Sequence, residues 1–228
     1  QIRQVFGGGA APSITNVIDF LQIASLGNCA DFGDLVAANR GISGSSVSHG
    51  GLELGFFQRP SVNYMPGSGR GFFAGYYNPA HTAAIDLVHI PTLGNSSDFG
   101  DLSEARGRAG AAASLTRLVI GGGEKSPGAT TNVIDSIEMQ SQGNSANFGD
   151  ESGPYNSQKT GLSNQTRGVF AGGFASPNWS NVIDYVTIAS AGDATDFGNL
   201  SATKASISAV SSSTRGIFMG GRNPTNQN

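Results

Sequence analysis

Several short patterns in this sequence are, taken singly, typical of catalytic or metal-binding sites. Asp-Phe-Gly, the tripeptide that holds magnesium in protein kinases, begins at Asp31, Asp98 and Asp196, and Asn147 begins an Asn-Phe-Gly variant. A kinase also needs a glycine-rich phosphate loop, a strand lysine and a catalytic loop, and none of these accompanies the tripeptide. Because the tripeptide recurs, it indicates a repeated structural role and not a reaction centre.

Glycine and acidic clusters give no stronger signal for a bound group. Gly7–Gly9 and Gly121–Gly123 lead into strand-like sequence, whereas a phosphate-binding loop leads into the N-terminus of a helix. Acidic residues around the repeated tripeptide are of the type that binds calcium, but Asn147 and Asn199 replace aspartate in two copies. Structural pairing is therefore favoured over calcium, and we expect no metal and no cofactor.

Histidine and cysteine, the other common metal ligands, are also scarce in this sequence. His49, His81 and His89 are far apart in the sequence, which favours scattered surface or turn residues over a set of metal ligands. Cys29 is the single cysteine, so an intrachain disulfide and a cysteine-based zinc site are excluded, and we expect a buried free thiol. No residue of this chain is predicted to be catalytic.

Low charge and high glycine content limit the class of protein. Charged residues make up 13% of the 228 residues, about half the usual share, and 34 residues are glycine. Such a composition is common in extracellular and virion β-proteins. The net charge of −3, without a run of Lys or Arg, argues against a nucleic-acid partner, which requires a basic stripe. No apolar stretch approaches the roughly 20 residues that span a bilayer, so no membrane span is expected.

A three-part repeat organises most of the chain. An arginine followed by an apolar run that ends in glycine begins at Arg3, Arg70, Arg117, Arg167 and Arg215. A second apolar run ends at Asp19, Asp86, Asp135 and Asp184, and the repeated tripeptide begins 12 residues after each of these. The arginines are 67, 47, 50 and 48 residues apart. The repeat is therefore about 49 residues long, with an irregular insertion at about 49–69.

Each repeat predicts four short strands. In the fourth repeat they cover 158–164, 167–172, 181–189 and 194–200, where β-branched and aromatic residues are bounded by Gly, Pro, Asn and Ser. No segment shows a convincing helical apolar face, and four strands every 40–50 residues is the period of a propeller blade. The sequence predicts one all-β domain over 1–228, a β-propeller of four to five four-stranded blades that starts and ends within a blade.

The order of these features resembles the kelch motif of β-propeller proteins. The aromatic position is Phe32, Phe99, Phe148 and Phe197, where kelch blades usually carry tryptophan, and the basic position is Arg40, Arg106, Lys159 and Lys204. More narrowly, the segment 181–200 is similar to repeats of virion structural and tail-fibre proteins of marine phages that infect cyanobacteria. This resemblance implies a non-catalytic virion protein that contacts the host surface or other virion proteins.

Two alternative functions stay open. The first is a secreted kelch-like enzyme of the galactose-oxidase type, which needs copper ligands from Tyr, His and Cys at the ring axis and is disfavoured by the scarcity of His and Cys. The second is a capsid decoration or scaffold protein without a ligand.

Binding is predicted at the loops between the second and third strands, because propellers bind through the loops of one rim. These loops carry Tyr76, Tyr77, His81, Phe174 and Trp179. Exposed rings at loop tips grip saccharides by stacking on the apolar sugar face, which suggests a host-surface glycan as a partner. The alternative is that these rings pack over the edge of their own blade.

The insertion is a second predicted contact region. Its apolar residues, which would rarely stay exposed in a soluble monomer, are Leu52, Leu54, Phe56, Phe57 and Tyr64. We expect them to dock on a copy of this chain or on another virion protein; the alternative is a degenerate extra strand.

The ends of the chain leave the closure of the ring undecided. The arginine phrase occurs five times and the two later phrases four times, so strands within 205–220 would complete the first blade, or the chain is a fragment, or end strands exchange between neighbours. Within the blades we expect the repeated phenylalanines to be buried and the repeated aspartates and basic residues to be paired.

Overall fold

The computed structural model describes residues 3–10, 12–46, 69–77, 79–153 and 156–223, and every regular element among them is a β-strand. The predicted all-β fold class is confirmed. No helix suitable for crossing a membrane is present among the described residues.

The strands are grouped into antiparallel sheets that follow the sequence repeat. Unit 1 has three strands in the order β1 (Arg3–Ala10), β2 (Ile14–Gln22) and β3 (Ala30–Asn39). Unit 2 has four: β4 (Ser43–Ser46), β5 (Arg70–Tyr77), β6 (His81–His89) and β7 (Ser97–Asp101). Each strand pairs with its neighbour in the chain.

Units 3 and 4 repeat the four-stranded order and add a short hairpin between the second and third strands. Unit 3 contains β8 (Gly110–Ala113), β9 (Arg117–Gly121), β12 (Val133–Glu138) and β13 (Ala146–Asp150), with the hairpin β10 (Glu124–Lys125) and β11 (Ala129–Thr130). Unit 4 contains β14 (Thr160–Ser163), β15 (Arg167–Ala171), β18 (Val182–Thr187) and β19 (Thr195–Asn199), with the hairpin β16 (Phe174–Ala175) and β17 (Asn178–Trp179). A last pair, β20 (Ser208–Ser211) and β21 (Gly216–Met219), forms a sheet of its own.

The predicted strand positions agree with this arrangement. The arginine phrases form β1, β5, β9, β15 and β21, and the four strands predicted for the fourth repeat lie within two residues of their observed bounds. Completion of the first sheet by strands of 205–220 is not observed, because β20 pairs only with β21. Residues 47–68, which include the insertion with Leu52, Leu54, Phe56, Phe57 and Tyr64, lie outside the described residues.

Apolar side chains between successive sheets form the core. Between units 2 and 3, Phe72 and Phe99 pack with Leu118, Ile120 and Met139. The next boundary repeats this pattern with Val119 and Phe148 against Phe170, Val186 and Ile188. Because each buried side chain of this size contributes about 1.5–3 kcal/mol, the contacts between neighbouring units are the main source of stability, as in other repeat architectures.

The glycine of the repeated tripeptide has a steric role. Gly100 and Gly149 have φ values of +152° and +155°. A Cβ there would lie 2.4 and 2.3 Å from the carbonyl oxygens of Gly143 and Gly192 in the following unit. Gly33 makes the same close approach to the second unit. Only glycine combines this backbone conformation with this distance, so the tripeptide is a packing motif between units.

The repeated phenylalanines show where the packing ends. Phe32, Phe99 and Phe148 are buried, whereas 54% of Phe197 is exposed. The prediction that all four are buried is therefore wrong for Phe197. Each buried ring is covered by apolar side chains from the third strand of the next unit, as Phe32 is by Val88. The sheet that follows unit 4 consists of β20 and β21 alone.

Candidate functional site

Buried ion pairs at the boundaries between units account for most of the deeply buried charge. Arg106 of the segment after unit 2 donates from Nη2 to Oδ2 of Asp135 in unit 3 at 2.9 Å, and both side chains are fully buried. Arg106 also donates to the carbonyl oxygens of Val133 and Ile120 at 2.8 and 3.2 Å. The expected pairing of repeated aspartate and basic residues is confirmed here. Because solvent does not reach this ion pair, its role is structural.

At the next boundary, between units 3 and 4, a lysine supplies the buried positive charge. Lys159 Nζ lies 3.1 Å from Glu151 Oε2 and 3.7 Å from Asp184 Oδ2, and all three side chains are buried. Ser152 Oγ donates to Asp184 Oδ1 at 2.5 Å. Burial raises the pKa of Glu151, and the neighbouring Lys159 opposes that rise. Two carboxylates thus share one ammonium group at this boundary.

The first boundary departs from the expected pairing. Arg40 is exposed and its guanidinium carbon lies 5.2 Å from the ring centre of Tyr77. Asp86 instead accepts hydrogen bonds from the Val36 amide at 3.1 Å and from Ser96 Oγ at 2.9 Å. The backbone bridges show the reason: Arg40 aligns with Gly107, one residue after Arg106. The equivalent of Arg106 is therefore Asn39, whose side-chain amide carries no charge.

The candidate binding site lies where the hairpins between second and third strands begin. Four equivalent bridges set this position in successive units: Arg40 with Tyr77, Gly107 with Glu124, Ser157 with Phe174, and Ala205 with Arg222. The sequence repeat therefore places the start of each hairpin against the segment that enters the first strand of the same unit.

Successive units are joined directly beside these bridges. The amide of Arg108 donates to the carbonyl oxygen of Gly41 at 2.7 Å, that of Gln158 to Arg108 at 2.8 Å, and that of Ser206 to Gln158 at 2.9 Å. Arg108, Gln158 and Ser206 have φ values of 59°, 59° and 54°, a left-handed conformation that is uncommon for residues other than glycine. Such strain concentrates at functional sites.

These joined segments line an open cleft of about 480 Å³. Its walls are Gly41, Ile42, Arg108, Ala109, Gln158, Lys159, Ser206 and Arg222. All four joined positions, one from each successive segment, therefore face the same cleft.

A polar network holds the cleft side chains in place. Arg108 Nη1 donates to Glu124 Oε2 at 2.6 Å, and Ser157 Oγ donates to the same oxygen at 3.1 Å. Gln158 Oε1 accepts from Ser206 Oγ at 2.8 Å and from Arg222 Nη2 at 3.0 Å. About 38% of the Arg108 side chain stays exposed. The network orients donors and acceptors toward solvent without burying them.

Aromatic pairs flank this region on the hairpins. Tyr77 and His81 pair across one hairpin with ring centres 5.1 Å apart, and Phe174 and Trp179 pair across another at 4.7 Å. The guanidinium carbon of Arg222 lies 5.5 Å from the ring centre of Trp179. These four rings are half-buried. Each therefore packs on its hairpin partner, as the alternative predicted, and keeps part of its surface accessible.

Two of the residues predicted to bind, Tyr76 and His81, differ from an exposed aromatic ring at the tip of a loop. Tyr76 is only 7% exposed, so the prediction that it offers a binding ring is wrong: the residue follows the positive-φ Gly75 and turns inward. Burial lowers the pKa of His81, and its Nδ1 is buried without a hydrogen-bond partner among the described residues. His81 is therefore a neutral ring at pH 7.

The structure does not assemble the remaining histidine and cysteine residues. His81 and His89 lie at opposite ends of β6, and His49 is outside the described residues. Cys29 is exposed, so the predicted buried thiol is wrong. It lies in the connection between β2 and β3. Within the described ranges, no group of three or more His, Cys, Asp or Glu side chains is placed to hold a metal ion.

Sequence reasoning missed the cleft residues Arg108, Gln158, Ser206 and Arg222. Motif searching overlooks them because equivalent positions carry different residue types. The available signal was their spacing, since positions 41, 108, 158 and 206 follow the period of the repeat.

No family model matches this sequence, and no curated protein matches it.

Proposed function

We propose that this chain is a non-catalytic, kelch-like β-propeller module of four to five blades in a phage virion. We place it in a tail fibre or another exposed appendage that contacts the host surface or other virion proteins. The observation that carries the binding role is the open cleft with paired aromatic hairpins, to which units 2 to 4 and the sheet of β20 and β21 contribute.

The arrangement of the units supports a propeller. Sheets of the same strand order follow one another and are joined at Gly41, Arg108, Gln158 and Ser206. Blades that radiate from an axis bring their first strands together at the centre, and these four positions line one cleft. A central cleft with hairpins around its rim is where a propeller binds its partners.

The chemistry of the cleft suits a saccharide. The partly accessible rings of Phe174 and Trp179 offer the apolar surface on which a sugar ring stacks. Arg108 and Gln158 offer the donors and acceptors that sugar hydroxyls require. The mixture of a few oriented polar groups with aromatic surface is typical of small-ligand sites, and we therefore propose a host-surface glycan as the ligand.

The virion location is supported by composition and by the resemblance of segment 181–200 to phage appendage repeats. Low charge and abundant Gly, Ser and Asn fit an extracellular particle; secretion is the alternative location. Antibody labelling of intact phage particles is expected to mark an appendage. Labelling of the capsid surface alone would favour the decoration-protein alternative.

Glycan-array binding of the purified chain tests the binding role. The wild type is expected to bind at least one class of glycan, and Trp179→Ala to weaken that binding about thirtyfold, because truncation of a central aromatic anchor costs about 2 kcal/mol. The matched control is Leu93→Ala, which removes an exposed apolar side chain from the connection between β6 and β7. Absence of binding by the folded chain would contradict the glycan proposal.

A further inference from the structure

The walls of the open cleft carry positive charge without a carboxylate among them. Three of the described lining residues are cationic, namely Arg108, Lys159 and Arg222, and none is acidic. The chain as a whole has a net charge of −3, so the cleft gathers cations on an acidic protein. The three cations differ in how far other side chains neutralise them.

Two of the three cations already have carboxylate partners. Lys159 Nζ lies 3.1 Å from Glu151 Oε2 and 3.7 Å from Asp184 Oδ2, and all three side chains are buried. The charge of Lys159 is therefore not available to a ligand. Arg108 Nη1 donates to Glu124 Oε2 at 2.6 Å, which cancels most of its charge but leaves its other N–H groups free of partners among the described residues.

Arg222 is the lining cation that no carboxylate neutralises. It makes no ion pair within the described ranges, and the residue is exposed. Two neutral groups hold its guanidinium: Nη2 donates to Gln158 Oε1 at 3.0 Å, and the guanidinium carbon lies 5.5 Å from the ring centre of Trp179. These contacts fix the position of the charge without cancelling it.

The hydrogen bonds of the cleft use its acceptors and leave donors free. Gln158 Oε1 accepts from both Ser206 Oγ and Arg222 Nη2. The carbonyl oxygens of Gly41, Arg108 and Gln158 each accept an amide of the next joined position. Gln158 Nε2 and the remaining N–H groups of Arg222, in contrast, have no partner among the described residues. A ligand that satisfies the cleft must therefore bring acceptors, and an anionic group brings the strongest ones.

We infer that the ligand of this cleft is an acidic saccharide whose carboxylate or sulfate group is bound by Arg222. This inference rests on the proposed glycan binding and specifies the class of glycan. The planar guanidinium offers parallel N–H donors that match two oxygens of such a group. Because Trp179 lies beside Arg222, the sugar ring next to the charged group reaches the aromatic surface. A neutral sugar would leave the charge of Arg222 without a counter-charge, so this residue determines specificity.

Chemical neutralisation of arrayed glycans tests the class of ligand. The wild type is applied to acidic glycans, to the same glycans after methyl esterification of their carboxylates, and to the same glycans after removal of their sulfate esters. Binding should fall about tenfold or more after one of the two treatments, as expected for loss of a hydrogen bond to a charged group. A loss after esterification assigns the carboxylate, and a loss after desulfation assigns the sulfate.

The outcomes of this test separate the inference from the proposed function. Binding that survives both treatments, or binding to neutral glycans alone, would overturn the acidic ligand and leave glycan binding intact. Absence of binding to every glycan, acidic or neutral, would overturn both.

Arg222→Gln tests the residue that reads the charge. Because Arg222 is exposed, the variant should fold, and it should bind the acidic glycan and its neutralised form with equal affinity. Fluorescence of Trp179, the single tryptophan, measures this binding in solution. Arg215→Gln is the matched control, since Arg215 is an exposed arginine without an ion pair among the described residues and does not line the cleft.

The control should keep the affinity and the preference of the wild type. Equal losses in the two variants would show a general effect of charge, and a preference for the acidic form that persists in Arg222→Gln would show that another residue binds the anion. Either result would overturn the assignment of Arg222.

Discussion

The first and second boundaries between repeat units use the same sequence phrases but reach different electrostatic solutions. At the second, Arg106 and Asp135 form a fully buried pair at 2.9 Å. At the first, Asp86 is buried without a cation and Arg40 lies outside on the ring of Tyr77. Both boundaries have a basic residue in this segment, and at these two the position of that residue along the backbone decides whether the buried aspartate is paired.

The largest contrast is expected between two phenylalanines of the repeated tripeptide. Phe148→Ala should lower the free energy of unfolding by about 3–5 kcal/mol, because it leaves a cavity between packed sheets. Phe197→Ala should change it by less than about 0.5 kcal/mol, as for other exposed positions. Urea denaturation of dilute protein measures both values. Equal losses would mean that Phe197 is covered in the free chain.

The two boundaries should also differ when their charges are removed. Asp135→Ala is expected to cost about 3–5 kcal/mol because it leaves Arg106 buried without its partner, whereas Arg40→Ala should remove only a surface contact worth about 0.5–1 kcal/mol.

The double variant Arg106→Met/Asp135→Leu separates charge from packing. Replacement of a buried pair by apolar residues of similar volume is often neutral, so this variant should recover most of the stability lost in Asp135→Ala. If it is as unstable as the single variant, geometry and not an uncompensated charge is the cause.

The unpaired aspartate of the first boundary gives a smaller, pH-dependent effect. Burial raises the pKa of Asp86 even though Val36 and Ser96 donate hydrogen bonds to it. A carboxyl whose pKa is higher in the folded state stabilises the fold below its unfolded pKa of about 3.9. That contribution is lost as the pH rises through the folded pKa.

Asp86→Asn should remove this loss. Its stability relative to the wild type is expected to increase between about pH 3 and pH 7, in urea titrations at a series of pH values. Asp31→Asn is the control, with the same change of charge at an exposed position of unit 1. Parallel pH curves for the wild type and Asp86→Asn would contradict the assignment.

The repeat phrases were sufficient to predict the all-β fold and the strand positions, because each phrase forms the same strand in every unit. They also predicted burial of Phe32, Phe99 and Phe148. They failed at Phe197, since its burial depends on side chains that the following sheet must supply. They failed at Arg40 because the length between the fourth strand and the next first strand varies. A shift of one residue turns a basic side chain from the core to the surface.

Each unit is held by the glycine connection of the next, and residue-resolved hydrogen exchange of the dilute protein tests this contact most directly. The amides of Gly94, Gly143 and Gly192 donate to the carbonyl oxygens of Phe32, Phe99 and Phe148 at 2.9, 3.1 and 2.7 Å. They should be protected, whereas the equivalent amide of Gly27 should exchange rapidly. Equal exchange at all four glycines would contradict the account.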